Sequence, residues 1–125
     1  MLVSVERRRA RLSSLVEEDD DVAVAAVTAA ELLVGVELAD GAHRSRRRAF
    51  VDAVLEVLPV EGYDLDVARS HARLLAHVRR AGRPRGAHDL LVAATAVARA
   101  REVVTTDRDG FAGLPGVELR TLRQP

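Results

Sequence analysis

Three acids in this 125-residue chain stand where carboxylates could do chemistry together: Glu31, Asp89 and Asp107. Gathered in one place, three carboxylates repel one another, and a hard divalent cation is the simplest way to offset their charge. Mg²⁺ suits such a site because it takes a few carboxylates and keeps several of its waters. A partly hydrated ion beside an open cleft activates water and stabilises a phosphoryl transition state. The chemistry to expect is phosphodiester hydrolysis by acids alone.

The rest of the composition fits that economy. There is no Cys, so disulfides, thiolate metal sites and Cys nucleophiles are excluded together. All 19 basic residues are Arg, which rules out lysine Schiff bases and P-loop lysine chemistry while leaving forks suited to phosphate and carboxylate. Formal net charge is zero, so bulk electrostatics do not announce nucleic acid. With only Phe50, Phe111 and Tyr63 as aromatics, base-stacking platforms of the RRM or cold-shock kind are excluded. No apolar run approaches the ~20 residues of a membrane span. The charged N-terminal segment lacks a signal-peptide pattern. The expected location is cytoplasmic, with no membrane partner.

Whether the acids meet depends on the elements carrying them. An amphipathic helix is expected over 3–18, followed by an acidic run Glu17–Asp21 that reads as a solvated face. Val22–Val27 reads as a buried strand, and Thr28 opens a helix to about Ala39. A break at Asp40-Gly41 precedes a helix over 42–56 with Phe50, Val54 and Leu55 inward, and Val57–Val60 reads as a short strand interrupted by Pro59. Asp64–Arg80 is a strong helix, with Leu65, Ala68, Ala72, Leu75 and Val78 near helical spacing. Ala81–Ala87, with two Gly and a Pro, is a loop. His88–Ala100 is a helix apolar enough to be buried on most sides. Val103–Thr105 is a strand, Asp107–Gly113 a turn or short helix, and Val117–Leu122 a last strand. Short strands alternating with helices specify an α/β fold: one domain over 1–125, a parallel sheet with helices on both faces.

In such a sheet, ligands bind beyond the carboxyl ends of the strands. Glu31 follows the strand at 22–27 by one helical turn, and Asp107 follows the strand at 103–105. Asp89 begins a helix that runs antiparallel to the strand it feeds, so its first turn belongs at the same edge. The one loose end is how helix 64–80 and loop 81–87 bring the chain back there. Each acid also has a simpler role open to it. Thr28-x-x-Glu31 matches a capping box, Asp89 suits the helix dipole, Asp107 could cap a short helix, and Asp109 suits a turn. Convergence on one edge is what favours chemistry.

The residues resemble those of a known family. Val24–Val36, a strand leading into Thr28-x-x-Glu31-Leu32 and then Gly35, is similar to a PIN-domain motif. Gly82-Arg83-Pro84-Arg85-Gly86-Ala87-His88-Asp89-Leu90 resembles the loop and acidic helix start of VapC toxins, and Val103-Val104-Thr105-Thr106-Asp107 with Phe111 resembles the last PIN motif. The resemblance implies a PIN-like three-layer α/β/α sandwich with a central parallel sheet. It implies an Mg²⁺- or Mn²⁺-dependent endoribonuclease toxin, RNA as substrate, a cognate VapB-type antitoxin that inhibits it, and a homodimer. It assigns Glu31, Asp89 and Asp107 as catalytic and metal-binding acids, with Thr105 and His88 as neighbours. The departure is at the front, where PIN proteins typically open with a strand ending in Asp-Thr-Ser or Asp-Thr-Asn. Here Met1-Leu2-Val3 resembles the stretch just after that signature, and neither Glu6 nor Asp19–Asp21 replaces its Asp. The expected chain therefore lacks the first strand. A start codon placed too late is the preferred explanation. A degenerate, catalytically inactive module that only binds an antitoxin is the alternative.

Two Arg clusters remain. Arg44, Arg46, Arg47 and Arg48 read as a solvated helix face or an RNA or antitoxin contact. Of Arg79, Arg80, Arg83 and Arg85, the pair Arg83 and Arg85 is the better candidate for RNA or antitoxin binding, because their loop precedes Asp89.

Overall fold

The computed structural model describes residues 2–3 and 22–121. Five short strands form one parallel sheet: β1 (Leu2–Val3), β2 (Ala23–Ala25), β3 (Val60–Glu61), β4 (Val103–Thr105) and β5 (Leu119–Thr121), in the spatial order β3-β2-β1-β4-β5. Four described helices accompany it: α1 (Ala26–Leu38), α2 (Gly41–Val57), α3 (Leu65–Ala81) and α4 (Ala87–Ala98). The expected α/β sandwich with a central parallel sheet is the observed class. None of these helices is long and apolar enough to cross a membrane.

The front of the chain corrects the sequence-based expectation. Val3, expected to open a helix, instead ends the middle strand Leu2–Val3, with Leu2 in register with Ala23 on one side and Val103 on the other. The sheet centre that the PIN-like pattern left vacant is filled. The remainder of the helix expected over 3–18 lies outside the described residues, as do Glu6 and Asp19–Asp21.

Strand alternation sorts the layers. Ala23 and Ala25 on β2 and Val103 on β4 pack with Val67, Leu74 and Val78 of α3 and with the apolar side of α4. Val22 and Val24 point the other way, onto Val54 and Leu58. Period-two side-chain alternation thus puts α3 and α4 on one face and α2 on the other. Alanines on both β2 and α4 let the helix lie close to the sheet, as interior packing requires. The buried face of α3 runs Val67, Ser70, Leu74, Val78, whereas the expected Leu65 and Ala72 are exposed. Val57 also belongs to α2, so the strand expected over Val57–Val60 begins only at Val60.

An antiparallel hairpin of α3 and α4 ties up the loose end. Asp64 caps α3, accepting from Val67 N at 3.1 Å, and Gly82 closes it in the left-handed region at φ 67°. Four residues then lead into α4, whose C-cap Arg99 returns to Asp64 through a 2.7 Å contact. The chain therefore regains the carboxyl edge without a long loop.

Candidate functional site

Chain order runs outward from β1 to β3 on one side and then resumes at β4 on the other. The order reverses at β1 and β4, and the crevice beyond their carboxyl ends is the position where parallel sheets place ligands.

Asp107 lies two residues past β4. Its N–H donates to the Thr105 hydroxyl at 3.0 Å, and its Oδ1 accepts from Gly110 N at 3.4 Å. Thr105 is buried, so its hydroxyl fixes where the chain leaves the strand. Asp107 closes a turn rather than capping a helix, since residues 107–114 form no helix. The turn is pinned inward by Phe111, only 1% exposed, and Leu114.

Asp89 is the third residue of α4, in its first turn, after an N-cap, Gly86, that has no side chain to cap the helix. Its carboxylate reaches across to the same turn. A Cβ on Gly110 would fall 2.6 Å from Asp89 Oδ2 and 3.3 Å from Asp107 Oδ2. Both carboxylates therefore border one point beside a residue that must have no side chain. Burial pushes the Asp89 carboxyl above its ordinary range, the negative charge of Asp107 adds to that, and His88 and Arg85 pull the other way.

Glu31 sits in the second turn of α1, which starts at Ala26. Thr28 is thus inside the helix and buried, and it is no N-cap, so the capping-box role falls away. Glu31 Oε1 meets His88 Nδ1 at 2.9 Å. It joins the edge through the residue next to Asp89 rather than by direct contact with the acid pair. Among the described residues, no three His, Cys, Asp or Glu side chains stand together as a ready cation cage. The structure brings Asp89 and Asp107 together and sets Glu31 beside them.

The donor set still fits a hard cation. Two carboxylates crowded against one turn match Mg²⁺, which binds through one or two carboxylates and retains water. Asp109 is exposed in the turn and offers its carbonyl, not its carboxylate, to Arg85.

The two arginines ahead of Asp89 separate. Arg83 is exposed, beside an open groove lined by His77, Val78 and Leu114. Arg85 is half-buried and reaches into the protein. Its Nη1 donates to the carbonyls of Asp109 (3.2 Å) and Gly110 (3.1 Å), and its Nη2 to that of Ala112. The guanidinium of Arg85, expected to meet RNA or antitoxin, is thus bonded to the turn in this structure, whereas that of Arg83 is exposed. In the first cluster, Arg44 and Arg48 pair with Glu37 on the surface. Gly110 escapes sequence reasoning because its Asp109-Gly110 setting signals only a turn.

Known proteins match this arrangement. The PIN domain family model matches residues 2–116. Ribonuclease VapC5 of Mycobacterium tuberculosis is 45% identical over 100 residues, spanning 78% of this chain and 71% of that protein. The VapBC-5 toxin–antitoxin structure from the same organism superposes with a TM-score of 0.76 at 32% identity, covering 97% of each chain. VapBC2 of Rickettsia felis, at 21% identity and a TM-score of 0.81 over 91% of this chain and 84% of that one, shares the fold. The strand order, the acids at the switch point and these matches agree: the chain belongs to the PIN-domain family, among relatives of the VapC ribonucleases.

Proposed function

We propose that this chain is a metal-dependent endoribonuclease toxin of the VapC type, held in check by a VapB-type antitoxin. The observation that carries the reading is the meeting of the Asp89 and Asp107 carboxylates beside Gly110 at the switch point. Like charges held together in a partly buried site cost stability, and such sites concentrate where chemistry is done. The VapC names of the relatives and the VapBC neighbours support the nuclease and the partner.

Asp89 and Asp107 would hold Mg²⁺ or Mn²⁺. When bound, such an ion makes water nucleophilic near neutral pH and offsets charge on the phosphoryl oxygens. The residues around it have separate tasks. His88 engages Glu31 Oε1 and fixes the carboxylate's direction. Oε2, without a partner among the described residues, is left to orient the attacking water and accept its proton. The absent Cβ of Gly110 leaves room for the Asp89 carboxylate to lie against the turn that carries Asp107. Arg83, exposed on the loop before α4, is placed to meet RNA backbone or an acidic antitoxin segment. A homodimer is part of the same reading.

The test is RNA cleavage with Mn²⁺ or Mg²⁺ present, then after chelation. Asp107→Asn is expected to lower turnover by more than about 100-fold, beyond what loss of an outer partner costs. Full activity in that variant, or cleavage unaffected by chelation, rejects the proposal.

One sequence feature favours a second reading, an inactive module that only binds the antitoxin. Val3 of β1 is followed by Ser4 rather than by an Asp. Calorimetric Mn²⁺ titration separates the two: binding that disappears in Asp89→Asn supports the nuclease, and no binding supports the inactive module.

A further inference from the structure

We infer that Arg85 is a positioning residue that sets the Asp89–Asp107 pair by strapping the turn after β4 to the loop before α4. The inference rests on the nuclease reading for its consequence, but the strap is a matter of geometry. One guanidinium, anchored four residues ahead of Asp89, donates to three carbonyls within the four-residue stretch 109–112 that begins two residues after Asp107. A planar fork is the side chain suited to holding several fixed acceptors at once, and a Lys point charge cannot reproduce it.

What the strap fixes is the spacing of the acids. Gly110 is both the residue whose carbonyl Arg85 holds and the residue against which both carboxylates rest. Its N–H in turn donates to Asp107 Oδ1. A shift of this turn therefore moves Asp107 relative to Asp89, and Phe111 anchors only the turn's inner side. Gly113 also passes close by, where a Cβ would lie 3.7 Å from Arg85 Nη2 in a backbone at φ 80°. Arg83, two residues earlier, is exposed and makes no such bonds among the described residues. Two arginines on one loop thus divide their work: Arg83 faces outward, and Arg85 acts through the turn and the two acids.

The experiment compares wild type with Arg85→Gln, Arg85→Lys, Gly110→Ala and Arg83→Gln, after thermal melting has shown which variants fold. Amide hydrogen exchange reads the strap directly. Phe111 and Ala112 N–H, both bonded to the Arg108 carbonyl, are expected to exchange at least about tenfold faster in Arg85→Gln and in Arg85→Lys. Calorimetric Mn²⁺ affinity is expected to fall about 10–100-fold in both, the range typical of an outer-sphere partner. With RNA, kcat falls while KM stays within about twofold. Gly110→Ala, which pushes the Asp89 carboxylate aside with the strap intact, is expected to lose Mn²⁺ affinity without the faster exchange. Arg83→Gln is expected to raise KM alone.

Unchanged exchange in Arg85→Gln overturns the strap whatever the metal result. A raised KM with Mn²⁺ affinity intact assigns Arg85 to RNA and likewise overturns it, as does full recovery by Lys. Should wild type bind no Mn²⁺, the nuclease reading fails, and the exchange data still decide the strap.

Discussion

The two ends of α4 treat charge in opposite ways. At its C-terminal end, Arg99 donates to Glu61 Oε2 at 2.9 Å and to Asp64 Oδ2 at 2.7 Å, and Arg101 meets Glu61 Oε1 at 3.2 Å. Two cations thus meet two acids, and the Asp64 carboxyl is held below its ordinary range by the Val67 N–H and by Arg99. At the N-terminal end Asp89 faces another acid, and burial drives its carboxyl upward. One end fastens α4 to the turn between β3 and α3. The other holds a partly buried carboxylate beside a second acid. A chain keeps such an arrangement where a ligand later relieves it.

The comparison is tested most severely at Asp89. Asp89→Asn is expected to reduce RNA cleavage by more than about 100-fold and yet to raise the melting temperature at neutral pH, since it removes a crowded charge. Activity lost together with stability would mean that Asp89 holds the fold and that the contrast between the ends is false. Phe111→Ala acts on the same end through packing. Loss of this buried ring is expected to cost about 3–5 kcal/mol in denaturant unfolding. Surviving folded protein would show faster exchange at Ala112. A cost below about 1 kcal/mol would place the turn's support elsewhere. Glu61→Gln probes the opposite end, where it leaves two guanidinium groups with a weaker acceptor. A lower melting temperature with kcat and KM unchanged is expected; a kinetic defect would extend the functional region along the whole helix.

Much of this contrast is legible in the sequence because it depends on strong local patterns. The buried runs at 22–27 and 103–105 and the apolar helix after His88 predict the sheet, the hairpin partner and the edge that collects the acids. Leu2–Val3 escapes because two residues show no periodicity, and the strand is specified by neighbours far along the chain. Thr28-x-x-Glu31 misleads because α1 begins at Ala26, two residues before the apparent cap. On α3, Leu65 and Ala72 continue a plausible stripe, but packing selects the adjacent one through Val67 and Leu74. The loop position singles out Arg85, but its bond to the turn is beyond sequence reading. Its partners are backbone carbonyls 24 to 27 positions away, and a carbonyl leaves no mark in a sequence. The same limit applies to Gly110, whose importance is an absent atom beside two carboxylates.

The smallest effect is in the pH dependence of stability, where the two acids must carry opposite signs. Asp64 has a depressed folded pKa. Its contribution is complete above the unfolded value of about 3.9 and is lost as pH falls through the folded value. Asp89 has a raised folded pKa, so its ionisation costs stability. That cost is absent well below about 3.9 and grows as pH rises through the folded value. Melting curves of Asp64→Asn and Asp89→Asn against wild type from pH 3 to 7 expose both. The deficit of Asp64→Asn is expected to shrink toward the acid end, and to be small throughout because the carboxylate is half exposed to solvent. The advantage of Asp89→Asn is expected to vanish at the acid end and to be largest at neutral pH. Saturating Mn²⁺ then sharpens the difference between the ends. It should reverse the Asp89→Asn advantage by stabilising wild type but not Asp89→Asn, and leave the Asp64→Asn deficit where it was, because that variant binds the ion as wild type does. Equal responses of the two variants to the ion would erase the distinction between a fastening end and a binding end of the same helix.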